Sequence, residues 1–131
     1  MSWLHKLFRV PDPIKTDWLT VAIREHTKER WGYITEQVNT AKPSNLKLAI
    51  IEADKLIDEA LKVLYPGKEQ MAERMKLAKT SFQDRQDYDD LWYAHKVRNV
   101  IVHESSYDMP ISEAVSVIEK YHKALSILGA L

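Results

Sequence analysis

Apolar residues recur every three or four positions along most of this chain, the spacing that places them on one face of an α-helix. The stretch from about residue 45 to 65 shows this most clearly, with charged residues outside the apolar stripe. Similar spacing predicts four further helices, over about 16–38, 68–79, 88–104 and 111–128. No stretch alternates apolar and polar residues as a half-buried strand does. The pattern therefore predicts an all-α fold, an antiparallel four-helix bundle with an additional short helix.

Proline marks the predicted boundary near the start of the chain. Pro11 and Pro13 separate an N-terminal arm, residues 1–13, from the helical part. Because a chain of 131 residues fits one domain of ordinary size, residues 14–131 are expected to form one helical-bundle domain.

Two connections inside the predicted domain have recognisable turn or loop chemistry. The sequence Thr-Ala-Lys-Pro-Ser-Asn at 40–45 predicts a turn, with Ser44 or Asn45 as the N-cap of the second helix. The polar stretch 80–87 predicts the longest loop, directly before the fourth helix.

Composition limits the classes of protein to which this chain can belong. Cysteine is absent, which removes disulfides, thiolate zinc sites and a cysteine nucleophile and fits the reducing cytoplasm, the predicted location. Nineteen basic and nineteen acidic residues give zero formal charge, so RNA, if bound, should be held locally rather than by a broad basic face. No apolar run approaches the roughly 20 residues that span a bilayer, and we expect no membrane insertion.

The predicted fourth helix differs from the others because two of its faces carry residues that are not simply solvated. At about 100° per residue, one face is an ordinary core face. It consists of Tyr93, Ala94, Val97, Val100 and Ile101. The opposite face consists of Leu91, Trp92, His95, Arg98, Asn99, Val102 and His103. Because a bundle buries only one face of a helix, the second is expected to meet a ligand or a second subunit.

Four polar residues of that second face, His95, Arg98, Asn99 and His103, have side chains suited to phosphodiester chemistry. An imidazole titrates near neutral pH, a guanidinium binds phosphate, and an amide can orient either one. A histidine could take the proton from a ribose 2′-hydroxyl or give one to the leaving oxygen, without a metal. The arginine could stabilise charge developing at phosphorus. The same spacing also fits an arginine that only pairs with a structural carboxylate.

The segment Ala-His-Lys-Val-Arg-Asn-Val-Ile-Val-His-Glu, residues 94–104, resembles the signature of HEPN (higher eukaryotes and prokaryotes nucleotide-binding) domains. In that family an arginine, usually followed by a polar residue, precedes a histidine by four intervening residues in the later part of a helical bundle. Arg98, Asn99 and His103 match this pattern position by position. Residues 48–61 also resemble the second helix of many bacterial members.

This resemblance, which covers about residues 30–131, implies a homodimeric, metal-independent endoribonuclease acting on single-stranded RNA. It assigns catalysis to Arg98, Asn99 and His103, with two Arg/His pairs facing one cleft. Many members belong to toxin–antitoxin or phage-defence systems, which implies an antitoxin protein as a partner. Other members are catalytically inactive modules that bind nucleotide or RNA or dimerise, and that alternative stays open, as does a purely structural role at a dimer interface. Some toxin members carry a tyrosine where this chain has Ser105, so no modification of that tyrosine is carried over.

Candidate supporting residues lie near the same helix. Asp54 and Asp58 flank the apolar stripe of the second helix, where a carboxylate could reach Arg98 or a histidine, and a structural ion pair fits them equally well. With His95 they are the predicted supporting or substrate-binding residues. The Glu-x-x-His spacing at 119–122 matches half of a di-iron site, but the sequence lacks the second half. We therefore expect no metal and no other cofactor.

Overall fold

The computed structural model describes the backbone of residues 11–131 and the side chains of residues 21–131. Over that part the chain is helical, with no strand, and the predicted all-α class is confirmed. The five α-helices are α1 (Pro11–Asn39), α2 (Pro43–Leu64), α3 (Met71–Leu77), α4 (Arg85–His103) and α5 (Ile111–Ile127), and a 3-10 helix (Ala78–Ser81) continues α3. None of the described helices combines the length and the apolar composition needed to cross a bilayer.

Helix α1 begins earlier than the spacing of apolar residues predicts. It starts at Pro11 rather than near residue 16, so the predicted arm boundary after residue 13 falls inside the helix. Proline is accommodated in the first helical turn because the N–H that it lacks would have no partner within the helix there. The rest of the predicted arm, residues 1–10, lies outside the described residues.

The predicted N-cap of α2 is wrong. Lys42 occupies the cap position with an extended backbone, and Pro43 follows in the first turn. Proline fixes φ near its helical value, which favours a start directly at this residue. The Asn45 side chain instead donates to Thr40 Oγ1 at 2.9 Å and stabilises the turn before the helix.

The loop before α4 is shorter than predicted. The 3-10 helix extends to Ser81, and Asp84 caps α4 by accepting a hydrogen bond from the Gln86 backbone N–H at 2.9 Å. Because an aspartate at the N-cap satisfies a backbone donor at the helix start, α4 begins at Arg85 within the stretch assigned to the loop.

Helix α2 lies at the centre of the fold and packs against α1, α3, α4 and α5. The contact of His26 with Glu59 and the ion pair of Arg30 with Glu52 show that α1 and α2 run antiparallel. Most buried residues of α2 are aliphatic, and each large one contributes roughly 1.5–3 kcal/mol through burial. They are Leu46, Ala49, Ile50, Ala53, Leu56, Ile57, Ala60 and Leu61. The one charged residue of α2 in this buried set is Asp54, on which the candidate site is built.

Candidate functional site

The buried carboxylate of Asp54 joins three helices. Its Oδ1 lies 2.8 Å from the Tyr121 hydroxyl of α5 and 2.9 Å from His95 Nδ1 of α4. Its Oδ2 lies 3.1 Å from Arg98 Nε, also on α4. Because an unpartnered carboxylate inside a protein costs several kcal/mol, these contacts are what allow Asp54 to be completely buried. The sequence prediction that Asp54 could reach Arg98 or a histidine is therefore correct in its geometry.

Tyr121 is fully buried, and its hydroxyl has two acceptors in reach. Besides Asp54 Oδ1, the backbone carbonyl of Ala94 lies 2.9 Å away. Burial, with the adjacent Asp54 carboxylate, raises the pKa of the Tyr121 hydroxyl well above its ordinary value. The phenol therefore keeps its proton and acts as a donor. It fixes α5 to both α2 and α4 at the level of the site.

Arg98 is held near Asp54 without a completed hydrogen bond. Nε and Oδ2 are at ion-pair distance, yet the N–H does not point at the oxygen, and both atoms remain buried without a hydrogen-bond partner. Nη1 donates to Asn99 Oδ1 at 2.8 Å. The side chain is 32% exposed. The guanidinium is thus attracted to a buried charge, while part of it remains accessible from solvent.

His103 stands apart from this cluster. It lies exposed in the last turn of α4, and no described residue forms a hydrogen bond or an ion pair with it. Five residues along a helix correspond to about 7.5 Å of rise and about 140° of rotation from Arg98. The predicted four-residue cluster is therefore three residues, His95, Arg98 and Asn99, with His103 further along the helix.

The faces of α4 differ from the predicted wheel at two positions. Ala94, Val97 and Ile101 are buried as expected. Leu91, predicted on the second face, is completely buried, whereas Tyr93, predicted in the core, is half-exposed and donates to Glu113 at 2.8 Å. Because α4 packs against both α2 and α5, its buried arc is rotated towards Leu91.

Asp58, predicted as a second supporting carboxylate, does not belong to the site. It accepts from Arg74 Nη2 at 2.6 Å and pairs with Lys62 at 3.1 Å. Burial alone would raise the pKa of Asp58, but the hydrogen bonds from Arg74 and Lys62 outweigh it and lower the pKa. The structural ion pair that the sequence left open is the one observed.

The roles of two residues, Tyr121 and Arg74, are not predicted by the sequence pattern. Tyr121 was visible only as one member of the apolar seam of the last helix, although a buried tyrosine hydroxyl normally needs a partner. Arg74 lies in the short α3 and is buried, with its Nη1 donating to the Lys68 carbonyl at 2.6 Å. The indication in the sequence was that Arg74, a basic residue, lies between two inward-facing apolar positions of the same helix.

Within the part of the chain whose side chains are described, no group of three or more His, Asp or Glu side chains is arranged to hold a metal ion. Glu119 and His122, the two residues with di-iron spacing, are both exposed. The His122 ring packs edge-on against Trp31, with 5.2 Å between ring centroids.

In comparisons with known proteins, no family model, no curated protein and no solved structure matches this chain. The assignment of function therefore depends on the motif residues of α4 and on the contacts described above.

Proposed function

We propose that this protein is a metal-independent endoribonuclease of the HEPN type, which cleaves single-stranded RNA at a cleft formed by two copies of the chain. The observation that carries the proposal is the environment of Arg98. This permanent cation lies beside the buried carboxylate of Asp54, and one-third of its side chain is exposed to solvent. On the same helix, His103 offers a solvent-accessible imidazole.

Arg98 suits the binding of a phosphodiester. A guanidinium presents several N–H donors in one plane, which match two phosphate oxygens. Arg98 Nε lies beside Asp54, and Nη1 donates to Asn99. No described residue accepts a hydrogen bond from Nη2 of Arg98. Because the Nε–H does not complete its bond to Asp54, a small rotation towards an incoming phosphate breaks no hydrogen bond at that atom.

His103 suits the role of general acid. It lies exposed in the last turn of α4, and an imidazole can carry a proton near neutral pH. The protonated ring can give its proton to the 5′-oxygen that leaves when the RNA backbone is cut. Exposure leaves this position open to substrate or to a second subunit.

A second copy of the chain would complete the site. Arg98 and His103 of one helix point about 140° apart, so a pair from each of two protomers surrounds a phosphate better than one pair alone. Val102, next to His103, is 51% exposed, and Leu48 of α2 is also exposed, which provides apolar surface for such a contact. Action in the cytoplasm and control by an antitoxin protein are part of the same proposal.

The test is cleavage of a fluorescently labelled single-stranded RNA by the purified full chain in the presence of EDTA, at several pH values between about 6 and 8. We expect products with 2′,3′-cyclic phosphate ends and no cleavage of DNA of the same sequence, which lacks the 2′-hydroxyl. Arg98→Ala and His103→Ala should each lower kcat by about 10²–10⁴-fold. His103→Ala should leave the melting temperature unchanged because the residue is exposed.

His122→Gln is the matched control, since His122 is an exposed histidine outside the site. Intact RNA under all of these conditions would contradict the enzyme proposal. Light scattering at micromolar concentration checks the second part, and a monomer would remove the shared cleft.

One observation favours the second candidate, a catalytically silent module that binds RNA or nucleotide. Arg98 already lies between Asp54 and Asn99, and no hydrogen bond joins it to His103. Such a module should increase the fluorescence anisotropy of labelled RNA without producing fragments, and Arg98→Ala should abolish that binding.

A further inference from the structure

The imidazole of His95 is held in one tautomer. Its Nδ1 lies 2.9 Å from Asp54 Oδ1, and a carboxylate oxygen can only accept a hydrogen bond, so Nδ1 carries the proton. The same oxygen accepts from the hydroxyl of Tyr121, and the permanent charge of Arg98 lies beside Oδ2. The second ring nitrogen, Nε2, is therefore the basic one when the ring is neutral.

Nε2 is also accessible. No described residue forms a hydrogen bond with it, and it is not among the buried polar atoms that lack a partner. The His95 side chain is 12% exposed, so one edge of an otherwise covered ring reaches solvent. A carboxylate that accepts from Nδ1 fixes the tautomer and the orientation of the ring, as in histidines that act as general bases.

We propose that His95 is a second acid–base residue of this site and takes the proton of the ribose 2′-hydroxyl on Nε2, which rests on the proposed ribonuclease function. The deprotonated 2′-oxygen forms a bond to phosphorus, the bond from phosphorus to the 5′-oxygen breaks, and the 5′-oxygen takes a proton from His103. The products are a 2′,3′-cyclic phosphate and a 5′-hydroxyl, and His95 later returns its proton to solvent.

The placement of His95 beside Arg98 supports this role. The two residues are one turn apart, about 4.5 Å along the helix, and share the carboxylate of Asp54. His103 lies eight residues from His95, about 12 Å along the helix axis. At that separation the two rings of one chain are too far apart to contact the same phosphodiester. His103 of a second copy is then the acid for the phosphate bound at His95 and Arg98.

The charges facing His95 are compatible with protonation during the reaction. Asp54 from α2 carries one negative charge, Arg98 on its own helix one positive charge, and Tyr121 from α5 is neutral. A proton on His95 leaves this group with one net positive charge, and the phosphate of the substrate balances it. The edge-on neighbour Trp92 is uncharged.

The first experiment is independent of activity. Nitrogen-15 NMR of the histidine rings in the full chain reports which ring nitrogen carries the proton at a pH where the rings are neutral. We expect the Nδ1–H tautomer for His95, with Nε2 showing the shift of an unprotonated nitrogen. His26, whose Nε2 faces Glu59 at 2.8 Å, is expected to show the opposite tautomer. An Nε2–H tautomer at His95 would overturn the proposal.

The second experiment measures RNA cleavage by His95→Gln, with His26→Gln as the matched control. We expect kcat to fall by about 10²–10⁴-fold, with KM changed little, and the rate loss on the acidic side of the pH profile to disappear. Added imidazole should restore part of the rate of His95→Ala. A merely structural histidine would lower the amount of folded protein but would leave the pH profile and the rate per folded molecule unchanged.

The outcomes separate the two proposals. If the wild type cleaves RNA and His95→Gln keeps both its kcat and its acidic limb, the role of His95 is overturned and the ribonuclease stands. If the wild type does not cleave RNA, the ribonuclease proposal fails and the role of His95 with it. The NMR result then still reports whether Asp54 fixes the ring.

Discussion

Asp54 and Asp58 are two carboxylates one turn apart on α2, and each faces an arginine. In one pair the carboxylate is the more deeply buried partner, and in the other pair the arginine is. Asp58 is a quarter exposed, but its partner Arg74 is only 4% exposed and also donates to the Lys68 carbonyl. Asp54 is fully buried, whereas its partner Arg98 is 32% exposed. An enclosed arginine that donates from both Nη1 and Nη2 stabilises the fold, while an exposed arginine beside a buried acid remains available to a ligand.

The two pairs also differ in hydrogen bonding, because only the pair with the enclosed arginine has an aligned hydrogen bond between its partners. Arg74 Nη2 donates to Asp58 at 2.6 Å, whereas the Nε–H of Arg98 does not point at Asp54. Charge-assisted hydrogen bonds with good geometry are roughly twice as strong as neutral ones, and an ion pair without that alignment lacks this part of the energy. The comparison therefore predicts unequal effects when each arginine is removed.

Arg74→Met should have the largest effect on stability, a loss of about 3 kcal/mol, because it removes the enclosed partner of Asp58, which keeps only Lys62, and leaves a partly enclosed backbone carbonyl without its donor. The free energy of unfolding in urea, followed by circular dichroism, measures this loss. A loss below about 1 kcal/mol would place Arg74 among ordinary surface ion pairs.

Arg98→Met should destabilise the protein by about half as much as Arg74→Met, in the same urea measurement. His95 and Tyr121 continue to bond Asp54, so the buried carboxylate keeps two donors. Arg98→Met should reduce RNA binding or cleavage more than Arg74→Met does, when the two variants are compared at the same folded fraction. Equal losses of stability for the two variants would remove the distinction between the pairs.

Tyr121→Phe should lower stability by about 1 kcal/mol, since it removes one hydroxyl from Asp54 and from the Ala94 carbonyl without changing the shape of the core. Thermal unfolding measures the change. Tyr93→Phe is the matched control, because that hydroxyl bonds Glu113 at the surface and should matter little. Equal melting temperatures for the two variants would mean that the buried hydroxyl adds nothing.

The smallest expected effect is on how the free energy of unfolding changes at acidic pH. The pKa of Asp58 is lower in the folded protein than its ordinary value, so the ion pair contributes stability above a pH of about 4, and that stability is lost as the pH falls through the folded value. The free energy of unfolding between pH about 6 and 3 should therefore decrease less steeply for Arg74→Met than for the wild type. Parallel curves would show that Arg74 does not lower this pKa.

The spacing of apolar residues was sufficient to predict the helical class, because each helix buries one continuous stripe. It could not predict that Pro43 would start α2 two residues early, since either Lys42 or Ser44 can precede a first turn. The rotation of α4 also escaped prediction. Whether Leu91 or Tyr93 is buried depends on where the neighbouring helices lie, and a helical wheel does not contain that information.

The sequence predicted the part of the candidate site that lies on a single helix, but not the contacts between helices. The motif on α4 identified Arg98 and its neighbours, and the edge of the apolar stripe on α2 singled out Asp54 and Asp58 without distinguishing them. The distinction comes from partners on other helices, Tyr121 for one carboxylate and Arg74 for the other. Which buried polar groups meet across a core is decided by packing rather than by spacing along the chain.

The hydroxyl of Tyr121 carries one proton between two oxygens, at 2.8 and 2.9 Å, in a position sealed from water. Such a proton exchanges with solvent slowly and can be observed as a separate resonance. Because it is shared between the carboxylate of the site and the backbone of α4, its frequency reports displacement of either one. The protein thus contains a natural probe, at the junction of three helices, for any ligand that draws Arg98 away from Asp54.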